Sequence, residues 1–276
     1  MKFIEIKGAR VPALGFGTWT LSGTDCARAV REALGVGYRH IDTAQLYGNE
    51  AEVGAGIAEG GVARDQLWIT TKLANDNLAA KDVARGTDAS LKKLGLDHLD
   101  LLLIHWPSRV VPLAETLGAM ARLREAGKTR FVGVSNFTVK LLDEAMGQAG
   151  ADLLTDQVEY HPFLSQRAVL GAARRHGMML TAYSPVARGL VNDDPTLQRL
   201  AEKYGKSPAQ IALRWLMEQD GVAAIPKAAS RAHMEANFAV FDFALEAADH
   251  AAIDALGGER RLVDIAGWSP DWDRPE

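Results

Sequence analysis

The segment YRHIDTAQLYGNE, residues 38–50, contains the unit from which this fold is built. An apolar, strand-like run ends in a carboxylate, Asp42, and a tyrosine, Tyr47, follows in a short loop. A helical pattern begins directly after that loop, at Glu50. A carboxylate and a phenol placed together at the end of a strand indicate more than a connecting turn.

The same unit recurs along the chain. Short apolar runs alternate with amphipathic segments, and the runs are continuous in hydrophobicity, which is typical of strands buried on both faces. This alternation predicts an α/β fold in which eight parallel strands close into a (β/α)8 TIM barrel. The predicted strands are residues 13–17, 38–42, 67–72, 99–105, 129–135, 153–159, 178–184 and 222–226. The predicted helices are residues 25–34, 50–59, 80–94, 113–124, 139–149, 166–175, 207–219 and 231–238.

The sequence also predicts a single domain over residues 1–276, because no linker rich in Gly, Ser or Pro divides it. The alternative fold is a doubly wound open sheet, which would carry a Gly-x-Gly-x-x-Gly turn after its first strand. No such turn is found, and Gly35 and Gly37 precede a strand instead of following one. Helix starts are well marked, as at Ser207, an N-cap residue followed by Pro208.

Composition narrows the functional classes. The 276 residues carry a net charge of −4 and no basic block, so nucleic acid and anionic membranes are not expected partners. The longest apolar runs, such as Leu99–Ile104, are too short to span a bilayer, and Glu5 and Lys7 stand where a signal peptide would be apolar. One cysteine, Cys26, excludes an internal disulfide, and a reducing cytoplasm is the expected location.

Polar residues collect where the predicted strands end. In a parallel barrel these ends meet at one rim, which is where chemistry is built. Each of these residues alone has an ordinary structural explanation, such as a solvated loop residue, half of an ion pair or a hydrogen-bonded core histidine. Their convergence at one rim favours a site. The residues are Asp42, Lys72, His105, Ser135, Asn136, Gln157, Glu159, Tyr183, Ser184 and Lys227.

Four of these positions form a consistent proton-transfer set. A phenol has a pKa near 10, so Tyr47 would protonate an oxygen at neutral pH only if its pKa were lowered. The Lys72 ammonium would lower it, and the Asp42 carboxylate would keep Lys72 charged. His105 would donate a hydrogen bond to a substrate oxygen and orient it. The set predicts a polarised proton donor that faces a carbonyl group.

The chain contains, in this order, the motifs GTW, IDTAQLYGNE, ITTK, LLLIHWP, VGVSNF, DQVEYHP, TAYSP and IPK. In the order and spacing of these motifs, the sequence resembles the aldo-keto reductases over nearly its whole length. The tail RLVDIAGWSPDWD is most similar to bacterial members that reduce 2,5-diketo-D-gluconic acid and methylglyoxal. The resemblance implies a TIM barrel that binds NADP(H) without a Rossmann domain and reduces small carbonyl compounds. It implies a catalytic tetrad of Asp42, Tyr47, Lys72 and His105, with Tyr47 as proton donor, and family members are often monomers.

The resemblance also implies the cofactor contacts. Ser135, Asn136 and Gln157 would bind the nicotinamide carboxamide, and Tyr183 would stack on the nicotinamide ring. Further expected contacts are Thr18 and Trp19 at the nicotinamide end, Asp42 beside it, Ser184 and the backbone from Val186 to Leu190 at the pyrophosphate, Lys227, Ser230 and His233 at the 2′-phosphate, and Asn237 at the adenine.

Two departures from the family pattern concern the 2′-phosphate. Ala228 stands where the family commonly has a hydroxyl residue, and His233 stands where members that prefer NADPH usually have arginine. A histidine is mostly neutral at pH 7, whereas arginine offers a permanent bidentate charge. We therefore expect NADPH as cofactor, with NADH tolerated.

The substrate pocket is expected to be aromatic. Trp19, Tyr47 and Trp106 would form its wall beside His105, and Trp268, in preference to Trp272, would close one side. Such walls suit small or flat carbonyl compounds. No metal site is predicted, because the seven histidines show no His-Glu-x-x-His pattern and Cys26 stands alone.

Three other functions agree less well with the sequence. A Schiff-base aldolase would use Lys72 as nucleophile, but the Asp42 partner would keep the lysine protonated. A non-catalytic, cofactor-sensing barrel subunit would not need the intact tetrad. A serine hydrolase would need a Gly-x-Ser-x-Gly elbow, which GVSNF lacks.

Overall fold

The computed structural model describes residues 1–148 and 151–273, and its strands and helices alternate as the sequence predicts. The strands are β1 (Phe3–Ile6), β2 (Ala9–Pro12), β3 (Phe16–Gly17), β4 (His40–Asp42), β5 (Trp68–Leu73), β6 (Leu99–Ile104), β7 (Thr129–Ser135), β8 (Leu153–Glu159), β9 (Met179–Tyr183) and β10 (Val222–Ala224). The helices are α1 (Gly23–Val36), α2 (Glu50–Glu59), α3 (Ala80–Leu94), α4 (Leu113–Glu125), α5 (Val139–Met146), α6 (Arg167–Arg175), α7 (Pro195–Tyr204), α8 (Pro208–Glu218), α9 (Arg231–Phe238) and α10 (Ala247–Asp254).

Strands β3 to β10 form one parallel sheet in chain order, and this sheet closes on itself. At the seam, the amide of Ala224 donates to the carbonyl of Ala13 at 2.8 Å, and the amide of Gly15 donates to the carbonyl of Ala224 at 2.8 Å. The amide of Gly17 extends the seam to Pro226 at 3.1 Å. The closed (β/α)8 barrel is thereby confirmed, and the open-sheet alternative is wrong.

The core has the two layers expected of this fold. Every residue of β5, β6 and β8 is buried, which agrees with strands covered on both faces. The helices bury one apolar stripe each against the barrel, as α3 does with Val83, Leu91 and Leu94.

The structure adds three elements that the sequence reading did not include. Strands β1 and β2 form an antiparallel hairpin at the amino ends of the barrel strands, where Lys7 donates to the carbonyl of Leu153 at the start of β8. Helix α7 follows the long loop after β9, and α10 follows α9. Both the hairpin and α7 have local features that mark them. The hairpin turns at Lys7 and Gly8, which both have positive φ, and α7 begins with the N-cap residue Asp194 followed by Pro195.

Most predicted boundaries differ from the observed ones by a few residues at element ends. The predicted strands 13–17 and 222–226 are shorter in the structure, where they correspond to β3 and β10. Residues outside these two strands, such as Ala13 and Pro226, lie in loops and form backbone hydrogen bonds across the barrel seam. The predicted helix 139–149 ends at Met146, and Ala149 lies outside the described residues. None of the helices in the described ranges has the length and apolar character needed to cross a membrane.

Candidate active site

A cleft with a volume of about 640 Å³ opens at the carboxyl ends of the barrel strands. Most of the polar strand-end residues identified in the sequence lie at this cleft or directly beneath it. The lining residues are Gly17, Thr18, Trp19, Thr20, Asp42, Leu46, Tyr47, His105, Trp106, Ser135, Asn136, Gln157, Tyr183, Ser184, Pro185, Val186, Arg188, Gly189, Ile225, Lys227, Val263, Ile265 and Trp268.

A buried ion pair forms the floor of the cleft. The Lys72 ammonium, fully buried on β5, donates to Asp42 Oδ1 at 2.5 Å and to the carbonyl of Thr43 at 2.8 Å. Gln157 on β8 donates to Asp42 Oδ2 at 2.8 Å and so holds the carboxylate from the other side of the barrel. Burial lowers the pKa of Lys72, but the charges of Asp42 and Tyr47 and their hydrogen bonds outweigh it, and the net direction is upward. Lys72 is therefore an ammonium at neutral pH.

Tyr47 lies directly above this pair. Its hydroxyl is 3.4 Å from Lys72 Nζ, and the ammonium lies 5.0 Å from the centre of the phenol ring. The phenol occupies the last position of a short 3₁₀ turn, Gln45–Tyr47, which Gln45 fixes by accepting hydrogen bonds from the Ala74 amide and from Asn77, both at 2.8 Å. Gln45 was not singled out in the sequence, although it lies inside the quoted segment.

The expectation that Tyr47 has a lowered pKa is wrong for this structure in its net direction. Burial of the phenol raises the pKa of Tyr47, and the neighbouring Lys72 charge lowers it by less. Lys72 thus acts in the predicted sense, but the apolar surroundings dominate.

His105 faces Tyr47 across the cleft. Their rings meet edge to face with centroids 5.6 Å apart. The pKa of His105 lies well below its ordinary value, because burial and the Lys72 charge both disfavour imidazolium. The imidazole is therefore neutral at neutral pH, and its Nδ1 has no hydrogen-bond partner among the described residues. A neutral imidazole can donate one hydrogen bond to an oxygen placed between it and Tyr47.

A second polar cluster lies beside His105, at the carboxyl ends of β7, β8 and β9. Asn136, whose φ of 64° is left-handed, donates to the His105 carbonyl at 3.0 Å and accepts from the Tyr183 hydroxyl at 2.8 Å. Ser135 donates to the Gln157 carbonyl at 2.7 Å. These bonds link the ends of β6, β7, β8 and β9 into one rigid surface.

The structure brings most, but not all, of the predicted cofactor residues to the cleft. Thr18 is buried there, with its hydroxyl and amide both donating to the Asp42 carbonyl at 3.0 Å. Four residues lie outside the lining set: Leu190 in the loop after β9, and Ser230, His233 and Asn237 at or on α9. Lys227, the residue of the set nearest to them in sequence, does line the cleft.

The loop after β9 also contributes a residue that sequence reasoning missed. Arg188 lines the cleft, and its guanidinium stacks on the exposed ring of Trp19 at 5.0 Å. Arg188 and its neighbour Ala187 have φ values of 53° and 47°, so this loop adopts an uncommon backbone conformation. Because this contact joins two loops that are far apart in the sequence, no local sequence pattern predicts it.

Aromatic side chains form part of the wall of the cleft. Trp106 and Trp268 line it, whereas Trp272 lies behind it, with its ring 6.2 Å from that of Trp106 and the Arg261 guanidinium 3.6 Å above it. Val263 and Ile265, which the sequence reading did not single out, complete this wall. No group of His, Cys, Asp or Glu suited to a metal ion occurs within residues 1–148 and 151–273.

The sequence profile described as the aldo/keto reductase family matches residues 13–257. A methylglyoxal reductase DkgB of Escherichia coli O157:H7 is 41% identical over 266 residues, which cover 95% of this chain and 99% of the relative. An aldo-keto reductase of Mycobacterium avium is 42% identical over 253 residues, with coverage of 91% and 89%.

Solved structures agree. A crystal structure described as a putative 2,5-diketo-D-gluconic acid reductase B superposes with a TM-score of 0.97 at 46% identity, covering 99% of this chain and 98% of the other. A Bombyx mori aldo-keto reductase in complex with NADP superposes with a TM-score of 0.91 at 35% identity, covering 98% of both chains.

Proposed function

The chain belongs to the aldo/keto reductase family and is a nicotinamide-dependent oxidoreductase that acts on carbonyl groups, and from this premise we propose its substrates, its preferred cofactor and the roles of its residues. The proposed substrates are small aldehydes and ketones, including dicarbonyls and keto sugar acids. Similar proteins named for methylglyoxal and 2,5-diketo-D-gluconic acid support this class. We also propose that residues 1–276 form one domain and act as a monomer.

The contact that carries the mechanism is the position of Lys72 between Asp42 and Tyr47. A bound reduced nicotinamide supplies hydride to the carbonyl carbon in this family. The Tyr47 hydroxyl delivers the proton to the carbonyl oxygen, and the permanently charged Lys72 stabilises the phenolate that remains. His105, held neutral, donates a hydrogen bond to the same oxygen and directs the carbonyl towards Tyr47.

We infer that a nicotinamide dinucleotide binds in this cleft. Asn136 and Gln157 contribute amide groups beside the tetrad, Tyr183 contributes an aromatic ring, and Lys227 contributes a cation to the lining. The Arg188–Trp19 contact also lines this cleft.

The substrate proposal is tested with a panel of dicarbonyls, keto sugar acids and simple aldehydes, by following the absorbance of the reduced nicotinamide. We expect reduction of several members, with methylglyoxal among them. The proposal would be contradicted if no compound of the panel caused a decrease in this absorbance. The aldolase alternative predicts that borohydride traps a carbonyl substrate on Lys72, and we expect no trapping because Lys72 is protonated and paired.

We propose NADPH as the preferred cofactor, with NADH tolerated. Lys227 supports recognition of a 2′-phosphate, whereas Ala228 is a buried methyl group and His233 an exposed imidazole on α9. Neither residue provides the permanent bidentate charge of an arginine. The ratio of kcat/KM for NADPH and NADH should therefore stay below about a thousandfold, which corresponds to about 4 kcal/mol.

Substituting His233→Arg should raise the preference for NADPH, because a guanidinium at this position adds a charged partner for the phosphate. The control is His250→Arg on α10, which adds the same charge away from the cleft. An unchanged ratio in His233→Arg would show that position 233 does not face the phosphate.

A further inference from the structure

The wall at the substrate end of the cleft is built by the C-terminal tail, residues 259–273. Val263, Ile265 and Trp268 of this tail line the cavity. The tail begins beside the loop after β8, where the Arg260 amide donates to the Phe163 carbonyl at 3.1 Å. It then crosses the mouth of the barrel, so its position decides the shape of the pocket.

One buried carboxylate holds the tail where it enters the cleft. Glu159, the last residue of β8, is fully buried and accepts the Leu262 amide on Oε1 at 2.7 Å and the Val263 amide on Oε2 at 2.9 Å. His161 Nε2 lies 3.0 Å from the same Oε1. Because the Phe163 amide donates to His161 Nδ1, the ring proton belongs on Nε2, which therefore donates to Glu159. All three partners are N–H donors, an arrangement that suits an acceptor-only carboxylate.

The other end of the wall is held separately. Arg109 donates to the Ser269 carbonyl at 2.7 Å, and Asp273 accepts the Val139 amide at 2.9 Å at the start of α5. Between the two ends, the Ile265 amide bonds to Ser269 Oγ at 2.7 Å and closes a turn. The wall is thus a strap fixed at two points, and Glu159 is the fixed point that comes from the barrel itself.

Glu159 does not line the cavity, and its carboxylate forms its hydrogen bonds with His161, Leu262 and Val263 and not with the tetrad. However, Gln157 lies two residues earlier on the same strand and bonds to Asp42. The carboxyl end of β8 therefore positions both the catalytic carboxylate and, through Glu159, the wall that a substrate meets.

We propose that Glu159 is a positioning residue for substrate specificity: it clamps the main chain of Leu262 and Val263 and thereby places Val263, Ile265 and Trp268 against the part of the substrate that lies farthest from the carbonyl. The inference rests on the proposed carbonyl reduction. It predicts that a substrate too small to reach the wall is nearly indifferent to Glu159, whereas a larger one depends on it.

Glu159→Gln tests the clamp. The glutamine side chain keeps one acceptor oxygen, but its NH₂ group replaces the other. That NH₂ group would face a main-chain N–H of the tail, so one of the two hydrogen bonds to the tail is lost. With phenylglyoxal we expect KM to rise roughly tenfold or more, because apolar pocket contacts discriminate on this scale. With methylglyoxal, whose methyl group replaces the ring, KM should change by less than about threefold. The dissociation constant for NADPH and the kcat at saturation should stay near those of the wild type.

A second variant reaches the same hydrogen bond from the tail. Leu262→Pro removes the N–H that Glu159 accepts and leaves the carboxylate intact. It should raise KM for phenylglyoxal by a similar factor, while KM for methylglyoxal again changes by less than about threefold. An unchanged KM for phenylglyoxal in a folded Leu262→Pro protein would overturn the proposal, because Glu159 would then act by a route other than the tail.

Limited proteolysis gives a readout that does not depend on activity. Both variants should be cleaved within the tail faster than the wild type, while circular dichroism reports an intact barrel. The control is Glu5→Gln, in the exposed pair with Arg10 on the amino-terminal hairpin. Unchanged KM and unchanged cleavage in a folded Glu159→Gln protein would overturn the clamp. A wild-type chain that reduces no carbonyl would overturn the proposed function instead, and the cleavage rates would still decide the clamp.

Discussion

At the scale of single residues, the proposed chemistry depends on a buried charge shared by three side chains. Lys72 keeps its proton because Asp42 is 2.5 Å away, and Tyr47 lies 3.4 Å from the same ammonium. The phenol is nevertheless a weaker acid than free tyrosine, because burial dominates its pKa. The role of Lys72 is therefore best understood as stabilising phenolate when the proton leaves, as opposed to making Tyr47 acidic beforehand.

Tyr47→Phe should remove carbonyl reduction while leaving cofactor binding nearly intact. The variant loses the proton donor but keeps the Lys72–Asp42 pair and the ring packing against His105. General acid catalysis contributes about 10²–10⁴-fold, so kcat should fall at least about a hundredfold. Steady-state kinetics and a fluorescence titration with NADPH measure the two effects. A comparable loss of cofactor affinity would mean that the phenol has a structural role.

Two buried histidines should make the protein sensitive to mild acid. Burial lowers the pKa of His40 and of His105 below the ordinary value of about 6.5. Below that pH, the two histidines become protonated in the unfolded chain but stay neutral in the native protein. Because the unfolded state binds more protons, the free energy of unfolding decreases as pH falls. The stability they contribute is present above about pH 6.5 and is lost as pH falls from there towards their lowered pKa values.

His40→Gln should flatten this dependence without touching the proposed chemistry. The slope should decrease by up to about 1.4 kcal/mol per pH unit, the value for one proton. Urea unfolding at several pH values between about 5 and 6.5 measures it. His250→Gln, on the surface helix α10, is the matched control, and equal slopes in the two variants would contradict the assignment to His40.

At the scale of elements, local sequence signals fix where helices start. Helix α8 begins with the predicted N-cap, Ser207, whose side chain accepts the Gln210 amide while Gln210 bonds back to the Ser207 amide. Pro208 follows at the first helical position. This reciprocal capping box satisfies two of the N–H groups that a helix start leaves without partners.

Ser207→Ala should lower the free energy of unfolding by about 1 kcal/mol, the usual value of an N-cap hydrogen bond. The matched control is Ser22→Ala, because Ser22 occupies the N-cap of α1 without a side-chain capping bond. Urea denaturation of both variants gives the comparison. Equal losses would show that the hydroxyl of Ser207 contributes no capping energy.

At the scale of the whole molecule, the barrel depends on a close approach at its seam. A Cβ on Gly17 would lie 2.7 Å from the Ile225 carbonyl oxygen, which is main chain and cannot move aside easily. The same seam carries Thr18 and Lys227 to the cleft. Closure of the sheet and the shape of the site are therefore set by the same contact.

Gly17→Ala should destabilise the protein by about 1–3 kcal/mol, as overpacking does, and should weaken NADPH binding. Gly118→Ala is the control with the opposite sign. That glycine lies inside α4 with only the flexible end of Arg122 nearby, so alanine should stabilise the helix by about 0.5–1 kcal/mol. Thermal unfolding and cofactor titration measure both. A stable Gly17→Ala protein would mean that the seam can relax.

The sequence by itself determined the strands, their polar ends and therefore the rim at which Asp42, Tyr47, Lys72 and His105 meet. Apolar runs and helix periodicity are local signals, and a parallel barrel brings all carboxyl ends to one side whatever the details of packing. The strand–helix repeat did not predict the hairpin of β1 and β2 or helix α7, although turn and cap residues mark them. Both are additions to the eight strand–helix units.

Only the tertiary structure decided the clamp of Glu159 on the tail, the stacking of Arg188 on Trp19 and the net pKa direction of Tyr47. Each depends on which distant segments pack together. Glu159 is separated from Leu262 by 103 positions, and no periodicity relates residues so far apart. A pKa likewise follows from the burial and charges that surround a group in space, and neighbours in sequence supply only a part of them.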